Sequence, residues 1–537
     1  MAVTEPTTFS ALVAETARRV PERKALAFPD GDLLYGELLA RAHERADDLL
    51  RLGVGPGDRF GLLAANCPEF VEFLLGAALL GAVTVPINTR FRPRELAHVV
   101  ADAELTTVVA TGGTDPVAPN FAQVLLETIP QLADADDPFE LALDGYPRLR
   151  SAMALGGGVP AGLADAAALH GRELQRPRPP LGVLPAEAPL LIMYTSGTTA
   201  YPKGCVISNG SFAHNALAIA ERLEIDDDDR WWDPLPLFHM GGIMLMASVL
   251  ARGGLFGTMS RFSAPEAFEL IDRIEPTVLY PLFPTITLDL MHDQSFPART
   301  WEGVRLIANL APRDVQLKVQ EAFAPAVLVG AYGITELTGV VSYPALGEPL
   351  DVRLDSCGPP LPGLELRVVD PETGAVLGPG ERGELVGRGI QRFDGYYRNP
   401  EQTAEAIDSD GFFHTGDLCA LDAEGRISYH GRLKDMLKVG GENVSALEVE
   451  SYLATHPAVK LAQVVGVPDE RLVEVPAAFV ELAPGAEASE EELIAYCTGA
   501  IARFKVPRYV RFVSEWPMSA TKIQKFRLRE QIAEELS

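Results

Sequence analysis

Residues 194–204 read Tyr-Thr-Ser-Gly-Thr-Thr-Ala-Tyr-Pro-Lys-Gly and follow directly on the apolar run Pro189 to Met193. Thr195, Ser196, Thr198 and Thr199 supply hydroxyl donors, Gly197 lets the backbone come close, and Lys203 adds a charge. A loop of N–H and O–H donors with one cation suits a phosphate. It is not a Walker loop, because the Gly-x4-Gly-Lys-Ser/Thr spacing is absent. On composition alone the stretch also reads as a solvated turn. Lysine is scarce: nine residues against 46 Lys+Arg, so each one is informative, and Lys203, Lys434, Lys438, Lys522 and Lys525 fall in stretches of interest. The run Asp226 to Asp229 has no carboxylate-pair spacing and reads as a solvated turn, and Trp231-Trp232 reads as packing.

These residues need elements to position them. Helical and strand patterns alternate through the first 110 residues. The spacing predicts helices over 36–52, 69–80 and 94–101, and strands over 59–64, 82–87 and 106–110. Such alternation implies a doubly wound parallel sheet. Residues 112–185 are rich in Gly, Ala, Pro and Asp and read as a long connection with some helix and little functional content. Alternation resumes from Leu190 to about 345. From about 355, short apolar segments near 365–369, 383–386 and 427–429 between Gly/Pro turns suggest a β-rich subdomain. The last hundred residues read as a small α+β unit with a basic tail.

The order of residues in 194–204 resembles the phosphate loop of the adenylate-forming (AMP-binding) superfamily, in its acyl-CoA synthetase and aryl-CoA ligase branch, with Ala200 where the family has Gly. Further matches follow in order: Gly330-Ala-Tyr-Gly-Ile-Thr-Glu336, Gly395-Tyr-Tyr-Arg-Asn-Pro400, Thr415-Gly-Asp417 and Gly431-Arg-Leu-Lys-Asp-Met-Leu-Lys-Val-Gly-Gly-Glu-Asn443. The resemblance implies an α/β fold. A large N-terminal adenylation domain (1–432) of doubly wound sheets carries the β-rich subdomain at about 350–432, and a small mobile α+β lid follows (433–537).

It also implies roles. Thr195, Ser196, Gly197, Thr198, Thr199 and Lys203 would hold phosphates, and Tyr332, Gly333, Ala311 and Pro312 the adenine. Asp417 and Arg432 would form the ribose pair, a carboxylate being able to accept from two vicinal hydroxyls. Thr335 would bond the α-phosphate and Glu336 ligate Mg²⁺, a hard cation that wants oxygen. His239, Asn309, Gly330 and Ala331 would lie at the acyl pocket, with Asn309 in place of a family Gly and favouring a compact or polar-tipped acid; the alternative is that the loop simply moves aside. Lys434 marks the hinge, Lys438 the second half-reaction or simply a solvated loop, and Gly440 with Gly441 the CoA path. Near the end, Pro517-Met-Ser-Ala-Thr-Lys522 lacks the Gly that precedes the family's catalytic lysine. Lys522 takes that role if the loop repacks; otherwise Lys525 substitutes or adenylation is impaired.

Composition narrows the class. The chain is 47% hydrophobic and 22% charged, ordinary for a globular protein. Its net charge of −28 argues against nucleic-acid or anionic-lipid partners. The longest apolar run, Leu74 to Ile87, is too short for a membrane span, and the N-terminus has no secretory pattern. Five scattered cysteines without metal-ligand spacing suit a reducing cytoplasm. The expectation is a cytoplasmic acid–CoA ligase using ATP, Mg²⁺, CoA and an unidentified carboxylic acid, with a homodimer left open. The alternatives are transfer to a carrier-protein thiol or an amine, and a non-catalytic descendant that binds acyl-AMP or nucleotide.

Overall fold

The computed structural model describes residues 7–113, 120–169, 171–195, 202–311, 313–439, 442–469, 472–519 and 522–536. Two large sheets carry the N-terminal part. In the eight-stranded sheet, Arg59–Leu63 lies between Val83–Pro86 and Thr107–Thr111, all parallel. Pro189–Thr195 joins Val83–Pro86 in parallel and forms an antiparallel hairpin with Lys203–Ser208. In the seven-stranded sheet, Val327–Val329, Leu306–Asn309, Val278–Leu282, Arg230–Trp232, Leu255–Gly257 and Lys24–Phe28 run parallel in that order, and Gly31–Leu34 closes the edge. Both sheets are covered on their faces, which is why their strands read as unbroken apolar runs.

Helix Tyr35–Arg51 buries one stripe, whereas Pro68–Leu80 is buried at every position from Phe70 onward. Gly76 lets these two helices meet: a Cβ there would lie 2.8 Å from the Ala42 carbonyl oxygen and 2.9 Å from the Ala46 nitrogen. The expected helices and strands before residue 111 all form, within two residues of their expected limits.

Two expectations need correction. The 112–185 region is not only a connection. Ser151–Leu155 adds to Thr107–Thr111 in parallel and Ala164–Asp165 extends that edge. The aspartate run is not merely solvated either. Asp229 is 4% exposed, accepts from Thr277 Oγ1 at 2.6 Å, and pairs with Arg305.

A four-stranded antiparallel sheet follows: Leu364–Val369, Gly383–Gly389, Phe413–Leu421 and Ile427–Arg432. The final part is built on Val459–Asp469 and Val473–Leu482, joined by Met436–Val439, Glu442–Ser445 and Tyr509–Phe512. Helices Ala446–Leu453, Glu490–Cys497 and Lys525–Leu536 complete it, so the expected basic tail is a helix. Lys460 ties this unit to the large one: its Nζ lies 3.0 Å from Asp289 Oδ1 and 2.9 Å from Glu481 Oε1 of its own unit. Trp516 Nε1 donates to the other Glu481 oxygen at 2.6 Å. Among the described residues no helix is long and apolar enough to cross a membrane.

Candidate active site

Several sequence-marked residues lie at carboxyl ends of parallel strands, where open α/β sheets bind ligands. Thr195 ends one such strand, Asn309 another, and Gly330 and Ala331 follow a third. Tyr332 leads the next short strand, Tyr332–Ile334, which turns back antiparallel as Gly339–Ser342.

Tyr332, Asp417 and Arg432 come together. Asp417 and Arg432 face each other across a hairpin, with Arg432 Nε 2.9 Å from Asp417 Oδ1. Tyr332 OH donates to Asp417 Oδ2 at 2.6 Å, and Arg432 Nη1 donates to the Thr415 carbonyl at 3.0 Å. Burial and the Asp417 charge push the Tyr332 phenol far above its usual range, so it is a neutral donor. Burial works against the Arg432 charge, but Asp417, then Tyr429, Tyr332 and Glu336, outweigh it and hold the guanidinium protonated. Tyr429, which sequence reasoning missed, lies with its ring centre 6.1 Å from that of Tyr332 and its plane inclined by 34°. It stays 37% exposed and lines a small cleft with Gly431 and Arg432. A register slip is the reason it was missed: Leu418 faces Gly431 but Cys419 faces Tyr429, so simple alternation along the strand fails there. Aromatic faces beside a buried carboxylate suit a base joined to a sugar.

A second cluster suits phosphates. Lys203 stands opposite Thr195 in the hairpin, and its Nζ lies 5.4 Å from the Tyr396 ring centre. Tyr396 OH donates to Glu336 Oε1 at 3.1 Å. Burial lowers the Lys203 pKa from its ordinary value, and the nearby Glu336 charge opposes that shift. Tyr396 belongs to the matched stretch 395–400, but a tyrosine on a strand edge gave no sign of this contact. Ser196, Gly197, Thr198 and Thr199 lie outside the described residues. Thr335 and Glu336 occupy a short turn and are partly exposed. A carboxylate there fits a hard cation, but among the described residues no group of three acidic, His or Cys side chains surrounds it. A Mg²⁺ ion would therefore take most of its oxygens from phosphate and water.

The residues expected at an acyl pocket are set around the strand Leu306–Asn309. Asn309 is fully buried, and its Nδ2 donates to Thr287 Oγ1 at 2.7 Å on helix Pro284–His292. Beside Gly330 there is space: a Cβ would meet only the Gln316 Nε2 at 3.8 Å and the Asn309 carbonyl oxygen at 3.9 Å. Gly333 is tighter, since a Cβ would come within 2.5 Å of the Gly339 oxygen. Ala331 is buried and Ala311 partly so; Pro312 lies outside the described residues. His239 caps helix Met240–Arg252, its carbonyl accepting from Gly242 and Ile243, and its ring packs 4.9 Å from that of Phe238. Met240 in turn lies against Gly339, which brings this turn to the Tyr332 hairpin.

Of the C-terminal lysines, Lys434 follows Arg432 in the turn Leu433–Asp435, and Lys438 pairs with Asn443. The backbone of Lys522 pairs with Ser519 in a two-residue hairpin. The side chains of Lys434, Lys438 and Lys522, and all of Gly440 and Gly441, lie outside the described atoms. Lys525 is already engaged: its Nζ donates to Glu450 Oε1 at 2.5 Å, and the same buried oxygen accepts from Val464 N at 2.7 Å. That bond weighs against Lys525 as a substitute for Lys522. Lys525 also lines the cleft beside Tyr429 and Arg432, which sets the Lys522 hairpin three residues from that cleft.

Likeness to known proteins runs over nearly the whole chain. Residues 13–397 match the model of the AMP-binding enzyme family, and residues 448–522 match that of the AMP-binding enzyme C-terminal domain. The chain is 32% identical over 537 residues to the "Medium-chain acyl-CoA ligase ACSF2, mitochondrial" of Rattus norvegicus, covering 97% of this chain and 87% of that protein. Among solved structures it is similar to the anthranilate CoA ligase AuaEII in complex with anthranoyl-AMP (TM-score 0.86, 26% identity, 100% of both chains). It is likewise similar to ATP-bound MatB from Rhodopseudomonas palustris (TM-score 0.83, 28% identity, 98% of this chain and 100% of that one).

Proposed function

Because this chain belongs to the AMP-binding enzyme family, we propose that it joins a compact carboxylic acid to coenzyme A through an acyl-AMP intermediate. In the first step a carboxylate oxygen attacks the α-phosphorus of ATP and pyrophosphate leaves. In the second the CoA thiolate attacks the acyl carbonyl carbon and AMP leaves. Positioning and charge neutralisation supply most of the catalysis.

Each part of the site has a task in this scheme. Thr195, Ser196, Gly197, Thr198, Thr199 and Lys203 hold the triphosphate. Tyr332, with Gly333, Ala311 and Pro312, receives the adenine, and Asp417 with Arg432 the ribose. Thr335 bonds the α-phosphate, and Lys522 brings its charge to the oxygens of the forming adenylate. Bound Mg²⁺, on Glu336 and phosphate oxygens, would neutralise phosphate charge. Residues 433–537 turn about Lys434 between the steps and exchange Lys522 for Lys438 and the Gly440-Gly441 path. The observation that carries this reading is the Tyr332–Asp417–Arg432 cluster beside the exposed face of Tyr429. CoA is favoured as acceptor by the relatives, which are named as CoA ligases. A compact acid is favoured by Asn309, whose buried amide stands where the family has glycine.

The test is pyrophosphate release from ATP across a panel of short and medium fatty acids, benzoates and dicarboxylates, with and without CoA. Turnover stimulated by CoA, with acyl-CoA as product, is expected. Pyrophosphate release indifferent to CoA would replace the acceptor, and silence on every acid would overturn the reading. Lys522→Ala should lower adenylation by about 100-fold or more while still converting supplied acyl-AMP to thioester.

A further inference from the structure

The strand pair that presents Asp417 is irregular at the point of use. Glu384 faces Leu418 and Val386 faces His414, so Leu385 alone stands against Thr415, Gly416 and Asp417. A bulge of this kind re-aims a side chain. Gly416 takes φ +68°, and a Cβ there would meet nothing within 4 Å, so glycine serves the backbone twist and not a lack of space.

One side chain braces the bulge from the neighbouring strand. Glu384 Oε1 accepts from Gly416 N at 2.9 Å, and Glu384 Oε2 lies 2.8 Å from His414 Nδ1. The far ring nitrogen of His414 is 3.7 Å from Asp408. Next to this brace, Thr415 Oγ1 donates to the Leu385 carbonyl at 2.6 Å and accepts from Asp417 N at 3.1 Å. The Glu384 side chain is only 13% exposed, so without it water would poorly replace the bond to the Gly416 amide.

We propose that Glu384, seconded by His414, is a positioning residue for the nucleotide. It touches no substrate; it locks the 415–417 bulge so that the Asp417 carboxylate meets the ribose hydroxyls. This rests on the reading of Asp417 as the ribose ligand, and a deoxynucleotide comparison separates the two.

The experiment measures kcat/KM for ATP, 2′-deoxy-ATP and 3′-deoxy-ATP by pyrophosphate release with an accepted acid. The unsubstituted enzyme is expected to prefer ATP by at least about tenfold, because a site built to bond a hydroxyl discriminates against its loss. Glu384→Ala should lower kcat/KM for ATP by about 10–100-fold, mostly through KM, while changing the deoxy analogues much less, so the preference collapses. Glu384→Gln keeps an amide oxygen for Gly416 N and should restore much of the preference. An equal loss on all three nucleotides, with the preference unchanged, would overturn the proposal and leave Glu384 a purely structural residue. If Glu384→Ala does not fold, Gly416→Ala makes the same comparison, since it strains only the backbone; a retained preference there would also overturn it. No preference for ATP in the unsubstituted enzyme would remove Asp417 from the ribose and the proposal with it.

Discussion

Asp417 is 2% exposed, and both of its oxygens have a charged or phenolic neighbour. Such a carboxylate is expensive to leave half-satisfied. Tyr332→Phe keeps the ring but removes the donor, and should destabilise the protein by about 1.5–3 kcal/mol in denaturant unfolding while raising the KM for ATP. Lys525 makes the same argument in the small unit. Lys525→Met leaves the buried Glu450 carboxylate without its cation, and should lower stability by about 3–5 kcal/mol, whereas Lys522→Ala should alter adenylation with little change in stability. Comparing the two variants by unfolding and by pyrophosphate release assigns each lysine its part. At this scale the sequence was legible where a residue type is rare in its role. Tyr332, Asp417 and Arg432 stood in ordered motifs and do meet. Tyr429, Tyr396 and Glu384 were not legible, because a tyrosine or glutamate on a strand carries no local mark of what it touches across a bulge or from a neighbouring sheet.

Elements were legible where a period repeats over several turns. Helix Tyr35–Arg51 and its neighbours follow the apolar spacing, since each buries one stripe or all of its surface. Ser151–Leu155 gave no such signal: five small or apolar residues, all buried, alternate with nothing, and only pairing with Thr107–Thr111 makes them a strand. Asp229 was misread for a similar reason, its partners Thr277 and Arg305 being 48 and 76 residues away. Close approach between elements is the easiest of these features to test. Gly76→Ala forces a methyl against the backbone of helix Tyr35–Arg51 and should destabilise by about 1–3 kcal/mol. Gly31→Ala, with nothing within 4 Å of its Cβ, is the control and should lie within about 0.5 kcal/mol of the parent in the same unfolding measurement.

On the scale of the whole molecule, the order of parts was readable from texture, from alternating βα through short strands to a compact α+β end. How the parts sit together was not, because the contacts between them, such as Ala454 in the core of the large unit and Lys460 on Asp289, join residues far apart in the chain. Lys460 is the clearest, shared between Asp289 of the large unit and Glu481 of the small one. Asp289→Asn should loosen the small unit's seating, seen as faster amide exchange along Val459–Asp469, and should change the ratio of the two half-reactions. The same lysine has an optical consequence. Trp231, Trp232 and Trp301 lie in the large unit, and Trp516 is the remaining one of four. Its indole bonds Glu481, which holds Lys460, which reaches Asp289. In the proposed turn of the small unit, the charge balance next to this one indole would change while the buried Trp231 and Trp232 keep their surroundings. Tryptophan emission in a stopped-flow mixing experiment would thus be a label-free test of that turn: a transient on mixing with substrates is expected, and unchanged emission through turnover would count against it.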